Sequence, residues 1–147
     1  ASGSSGNTDS TTQVTVGSLG VNVSNSTTGT IEATGDIAAY ASDERLKTNI
    51  TLIENAKEKL NKIRGVTFDW NQLSKDLGFI PSFDNEHGLI AQDVEEVIPD
   101  AVAPAPFNRK YKTIQYNRVI PLLVESLKEQ HRLINELKEE VNKIKNG

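Results

Sequence analysis

The sequence predicts an α+β protein in three parts: a short β-structured segment over residues 1–41, a small mixed α/β globular part over 42–116, and a coiled-coil helix over 117–147. Three observations predict it. Residues 13–37 alternate β-branched and polar side chains between glycines, the middle of the chain mixes short strand and helix patterns, and the last thirty residues carry apolar side chains three and four apart.

In the first part, Gln13-Val14-Thr15-Val16, then Leu19, Val21 and Val23, then Thr30-Ile31-Glu32-Ala33 read as strands. Gly17, Gly20, Gly29 and Gly35 read as turns between them. Isolated short strands are marginal in water, so this segment needs neighbours, either upstream repeats or copies of itself from other subunits. Next, Ser42 reads as the N-cap of a short helix, with Asp43 and Glu44 in its first turn where the helix dipole favours negative charge. Glu54–Ile63 reads as a second helix with Ala56, Leu60 and Ile63 on one stripe and Gly65 as its stop. Val66–Trp70 alternates like a strand, and 74–87 reads as a loop containing Gly78, Pro81 and the Asp84-Asn85 pair. His87–Ala91 reads as a buried strand leading into a helix over Gln92–Val97 that stops at Pro99. Pro104 and Pro106 read as a rigid loop before Tyr111–Ile114.

The final segment has the clearest periodicity. Ile120, Leu127, Ile134 and Val141 fall at a positions, and Leu123, Gln130, Leu137 and Ile144 at d positions, with Gln130 the one polar break. Pro121 is tolerated only in a first turn, which places the start near Asn117 or Arg118. Two readings stay open on pattern alone: self-association through this seam, or packing of the helix on its own domain.

Composition narrows the chemistry. Hydrophobic content is 36% and Trp70 is the single tryptophan, so the core is limited and association is an expected source of stability. Residues 1–41 carry Asp9, Glu32 and Asp36 and no basic residue; the remainder holds all 16 lysines and arginines against 17 of the 20 acids. That near-balance gives no footprint for nucleic acid and no basic stripe for a membrane surface, and no apolar run approaches the ~20 residues that span a bilayer. The absence of cysteine excludes disulfides, thiolate metal sites and cysteine catalysis. His87 and His131 are far apart, and neither a metal nor a cofactor is expected. His87 reads as a strand-end residue, and Glu95-Glu96 as a solvated helix face.

Ser42 and Lys47 offer a candidate dyad. A neutral lysine amine can take the proton of a serine hydroxyl, but lowering lysine's pKa from about 10.4 to ~7–8 requires desolvation of the kind an assembled interface supplies. Positions five apart lie about 140° around a helix, so the pairing requires Ser42 to stand outside the helix proper, or Lys47 to serve Ser42 of a neighbouring subunit. The electrophile nearest the Ser42 hydroxyl is the carbonyl of Ala41, and attack there moves the acyl group from nitrogen to oxygen. The amides of Glu44 and Arg45 are candidate oxyanion donors. The same residues also read as a capping serine followed by a solvated lysine.

The wording of the stretch favours the sharper reading. Gly35-Asp36-Ile37-Ala38-Ala39-Tyr40-Ala41-Ser42-Asp43-Glu44-Arg45-Leu46-Lys47-Thr48-Asn49-Ile50 closely resembles the start of the intramolecular chaperone domain of phage tail spikes and fibres, the peptidase S74 family. Phe68-Asp69-Trp70 follows, then His87-Gly88-Leu89-Ile90-Ala91-Gln92-Asp93-Val94 with Pro99 and Val102, then Tyr111-Lys112 and Tyr116. The resemblance covers residues 30–147 and implies a homotrimer in which a trimeric, β-helix-like stalk precedes an α/β chaperone with a C-terminal coiled coil. It implies Ser42 as nucleophile, Lys47 as base and Ala41–Ser42 as the bond cut once the stalk, the folding client, has assembled. It places the protein in a virion tail fibre or spike, with the chaperone acting in the host cytoplasm during assembly. The alternative is a trimerising fibre cap whose dyad is inactive. A third class, a binding module that holds a partner helix, predicts a monomer or heteromer.

Overall fold

The computed structural model describes residues 41–78 and 84–147. The strands expected within 13–37 lie outside the described residues, as does Pro81.

Residues 41–55 form an exposed strap broken by one 3-10 turn, Glu44–Leu46. Helix α1 (Ala56–Asn61) follows, then strand β1 (Gly65–Phe68), helix α2 (Gln72–Asp76), strand β2 (Glu86–Leu89) and helix α3 (Ala91–Val97). A 3-10 turn at Pro99–Ala101 leads to β3 (Val102–Pro104), then β4 (Lys112–Ile114), a 3-10 turn at Tyr116–Arg118, and α4 (Ile120–Asn146). Two antiparallel pairs result: β1 with β2, Val66 opposite Gly88, and β3 with β4, Ala103 opposite Thr113.

Three local expectations are corrected. Helix α1 is shorter than Glu54–Ile63, because Asn55 takes a left-handed conformation (φ 53°) and ends the extended strap there. Gly65 opens β1 and does not stop α1; the helix closes through short turns, Lys62 N–H to Lys59 O and Ile63 N–H to Leu60 O. The segment read as a loop over 74–87 contains the end of α2 and the start of β2. Helix α2 exists because the Asn71 side chain caps it, accepting from Ser74 N–H at 3.1 Å. Helix α4 begins at Ile120, two to three residues later than expected because Tyr116–Arg118 forms a 3-10 turn, and Pro121 sits in its first turn as expected, where a missing N–H costs nothing.

The core is small and sits where α3, the second strand pair and the start of α4 meet. Val94, Ala101 and Val119 are buried there, covered by Ile63, Leu89, Ile98, Val102 and Ile114. A second contact packs α1 on α4, its buried residues being Ala56 on α1 and Leu122 and Ser126 on α4. Since Asn55 provides no side-chain cap, the Glu129 carboxylate of α4 supplies one from outside, accepting from Lys57 N–H at 3.0 Å.

Helix α4 therefore has two faces. Leu122, Ser126 and Glu129 face its own domain, with Leu133 half-buried a turn further on. The a/d seam faces solvent: Ile120, Leu123, Leu127, Gln130, Ile134, Leu137, Val141 and Ile144 are all exposed, Leu127 at 65% and Ile144 at 80%. The helix does pack on its own domain, through Leu122 and Ser126, and the a/d seam lies on a different, exposed stripe. Beyond Leu133 every residue of α4 is exposed. A free helical stretch of this length is marginal in water, and the ion pairs Lys128–Glu125 and Arg132–Glu136 contribute only a few tenths of a kcal/mol each.

The two faces predict separable effects. Leu122→Ala is expected to destabilise the domain by about 2–5 kcal/mol in denaturant unfolding, through lost burial and a residual cavity. Leu137→Ala is expected to leave the domain's secondary structure unchanged and to weaken self-association, read by sedimentation equilibrium.

Candidate functional site

The strap places Ser42 ahead of the 3-10 turn and Lys47 at its end, in extended conformation. This arrangement removes the objection that positions five apart diverge on a helix: Lys47 Nζ donates to Ser42 Oγ at 2.8 Å within one chain. Both residues are exposed in the protomer, as is Ala41. The sequence reading of Ser42 as N-cap is corrected. The cap is Asp43, whose carboxylate accepts from Arg45 N–H at 2.9 Å, while the Arg45 guanidinium closes on the same carboxylate at 3.0 and 2.7 Å. This guanidinium holds the Asp43 carboxyl below its ordinary range. The Arg45 amide, one of the two oxyanion donors expected from the sequence, donates to Asp43 in this structure. A shorter side chain reaches the first free amide of a one-turn helix as readily from Asp43 as from Ser42, and the sequence alone did not separate the two.

Ser42 and Lys47 lie outside the cleft described on the domain. That cleft, of about 420 Å³, is bounded by Trp70, Leu73, Gln92, Phe107 and Tyr111.

The other sequence motifs form the scaffold behind the strap. Gly88 is required by close approach: a Cβ there would stand 3.0 Å from the Tyr116 hydroxyl and 3.2 Å from the Phe68 ring. That hydroxyl accepts from Leu89 N–H at 3.1 Å. Phe68 and Trp70 meet edge to face at 5.2 Å, Trp70 Nε1–H donates to Glu86, and Asp69 accepts from Asn85 N–H, an asparagine at φ 62°. Asp93 joins α3 to the start of β1, accepting from Arg64 N–H, Nε–H and Nη2–H at 3.2, 2.7 and 3.0 Å. Glu95 and Glu96 are not simply solvated: Glu96 pairs with Lys62 and Glu95 with Lys112, which tie α3 to its neighbours. His87 is exposed inside β2, opposite Thr67. Among the described residues, no cluster of His, Asp or Glu could hold a metal ion, and no helix is long and apolar enough to cross a membrane.

The site thus consists of a strap with a paired serine and lysine, a small α/β body and a projecting helix with an exposed apolar seam. Residues 42–103 match the family described as chaperone of endosialidase, peptidase S74, which supports a chaperone domain of that family in this part of the chain. The match begins at Ser42. The chain is also similar to the long tail fiber protein Gp37 of Enterobacteria phage K3, 35% identical over 98 residues, which cover 65% of this chain and 8% of that protein. It is 36% identical over 99 residues to the Gp37 long tail fiber protein of Enterobacteria phage M1, covering 66% of this chain and 38% of that protein. With the Gp37 long tail fiber protein of Salmonella phage S16 it shares 31% identity over 106 residues, covering 71% and 14% of the two chains. The chain thus spans well under half the length of the relatives it matches.

The Arg64–Asp93 clamp gives a pH prediction. Hydrogen bonds from Arg64 lower the Asp93 carboxyl below its ordinary value of 3.8 in the folded chain. Its stabilisation is therefore complete above the unfolded value and is lost as pH falls through the lower folded value. The thermal midpoint of the wild type is expected to drop more steeply below about pH 4 than that of Asp93→Asn, which lacks the titrating group. Gly88→Ala is expected to lower the midpoint at every pH, by crowding the Tyr116 hydroxyl and the Phe68 ring.

Proposed function

We propose that this chain is an intramolecular chaperone that gathers three copies of a phage tail fibre or spike, and then cuts itself from the fibre between Ala41 and Ser42. The observation that carries the proposal is the 2.8 Å contact between Ser42 Oγ and Lys47 Nζ, formed on an exposed strap at the first residue of the family match. Association through the α4 seam supports the trimer, since seven apolar side chains of that seam have no partner within the protomer's core. The strap adds Leu46, Ile50 and Leu52, which are 61–76% exposed and flank the dyad. Covering them with neighbouring subunits removes water from Lys47, which favours the neutral amine a general base requires.

The chemistry then balances simply. The neutral Lys47 amine takes the Ser42 hydroxyl proton, and Oγ attacks the Ala41 carbonyl carbon. A backbone amide, with Glu44 the candidate, stabilises the oxyanion. Collapse breaks the Ala41–Ser42 C–N bond, the Ser42 nitrogen takes the proton back from Lys47, and an ester joins Ala41 to Oγ. Water hydrolyses the ester, leaving an Ala41 carboxylate and a chaperone that begins with Ser42. A fibre freed of the element that assembled it is kinetically trapped in its trimeric form. In this reading the domain works in the host cytoplasm during assembly, and the mature fibre is part of the virion tail.

A second reading, a trimerising cap without catalysis, is favoured by one observation: Ser42 and Lys47 are both exposed in the protomer. Denaturing intact mass separates the two. Wild-type protein is expected to yield a fragment beginning at Ser42, and Ser42→Ala and Lys47→Met are expected to remain uncut trimers. An intact wild-type trimer establishes the cap; cutting at that bond in either variant removes the dyad.

A further inference from the structure

Among the described residues, nothing packs tightly around the dyad: residues 41–52 are all exposed. The distance between nucleophile and base is therefore set by the turn between them and by little else. That turn is held by two backbone bonds, Leu46 N–H to Asp43 O at 3.1 Å and Lys47 N–H to Glu44 O at 3.0 Å. A single 3-10 turn of three residues is poorly stable alone, since so few bonds repay the backbone fixed. The remaining support is the Asp43 carboxylate. Its Oδ1 accepts from both the Arg45 amide and Arg45 Nε, and its Oδ2 accepts from Arg45 Nη2.

We infer that Asp43 is the positioning residue of the Ser42–Lys47 pair, acting by capping the turn that carries Lys47 back to Ser42, with Arg45 as the clamp on that cap. The inference rests on the dyad reading above and adds to it a residue that touches neither the scissile bond nor the lysine amine. The two parts of the clamp differ in weight. The guanidinium pair is solvent-exposed, with the Arg45 side chain 88% exposed, and exposed ion pairs contribute little. The bond from the carboxylate to the Arg45 amide is an N-cap, which any short side chain with an acceptor oxygen can make. The order of importance follows: the capping oxygen first, the charge second.

The test is a substitution series read in two ways on the full chain. Cleavage is followed by intact mass, giving a first-order rate in the assembled trimer. Asp43→Ala is expected to slow it about five- to tenfold, with trimer content and melting unchanged. Asp43→Asn and Asp43→Ser, which keep a capping oxygen, are expected to stay within about threefold of wild type, and Arg45→Ala likewise. The second reading is independent of cleavage and is made in the Ser42→Thr and wild-type chains alike: competitive acetylation of Lys47 against Lys138, an exposed lysine of α4. Releasing the turn is expected to change the Lys47/Lys138 labelling ratio at least threefold in Asp43→Ala and to leave it near wild type in Asp43→Asn. Asp43→Ala indistinguishable from wild type in labelling overturns the inference, whether or not the chain cuts. Asp43→Asn as damaging as Asp43→Ala overturns it in favour of a role for the charge. Failure of the dyad reading looks different: wild type does not cut, or Ser42→Ala does, while the labelling ratios still follow the capping oxygen.

Discussion

A lysine amine surrounded by water holds its proton at neutral pH and cannot serve as a base. The protomer brings Ser42 and Lys47 into contact but leaves both in solvent. The described residues thus supply the contact between the pair but no cover for it. In the proposed trimer neighbouring copies supply the cover that the amine needs, and the described residues expose apolar surface in two places that suit them. One is the strap beside the dyad; the other is the seam of α4. An enzyme active only after assembly needs this division, because a dyad competent in the monomer would cut before the fibre had formed.

Helix α4 links the two places. Its inner stripe, with Leu122 and Ser126 buried and Glu129 capping α1, fixes the helix that directly follows the strap. Its outer stripe is left for partners. In the proposed trimer the same helix registers association on one side, while on the other it holds the root of the strap. The small central core, built on Val94, Ala101 and Val119, suits a domain that draws part of its stability from neighbours. The ion pairs from α3 to Lys62, Arg64 and Lys112 then act as fasteners around a core too small to fix every element by burial.

Much of this was legible in the sequence, for physical reasons that differ by element. The seam of α4 was readable because a strict three-four spacing has few other causes, and Pro121 marked its first turn. The β1 pattern was readable because Val66, Thr67 and Phe68 are β-branched or aromatic, whereas β2, Glu86–Leu89, was read late, as His87–Ala91, because its apolar residues begin only at Leu89. Helix α2 was missed because five residues carry no periodicity, although Asn71 was a capping signal in plain view. The inner stripe of α4 was hidden behind the stronger apolar seam, since Ser126 and Glu129 do not read as packing residues. At the site, Ser42 and Lys47 were legible through the resemblance of the whole 35–50 stretch, their spacing alone being a weak signal. The identity of the cap was not, because Ser42 and Asp43 are both good capping residues, and only the backbone conformation decides between them.

The central claim is that cutting waits for assembly, and the most direct test is a refolding time course at several protein concentrations. Trimer content by native mass and the fragment beginning at Ser42 by denaturing mass are sampled together. The account predicts that the fragment appears after the trimer, with a lag that shortens as concentration rises, and that it stays absent where dilution holds the chain monomeric. Fragment formation at the same rate in dilute monomer would contradict it, for the protomer alone would then suffice to deprotonate the lysine.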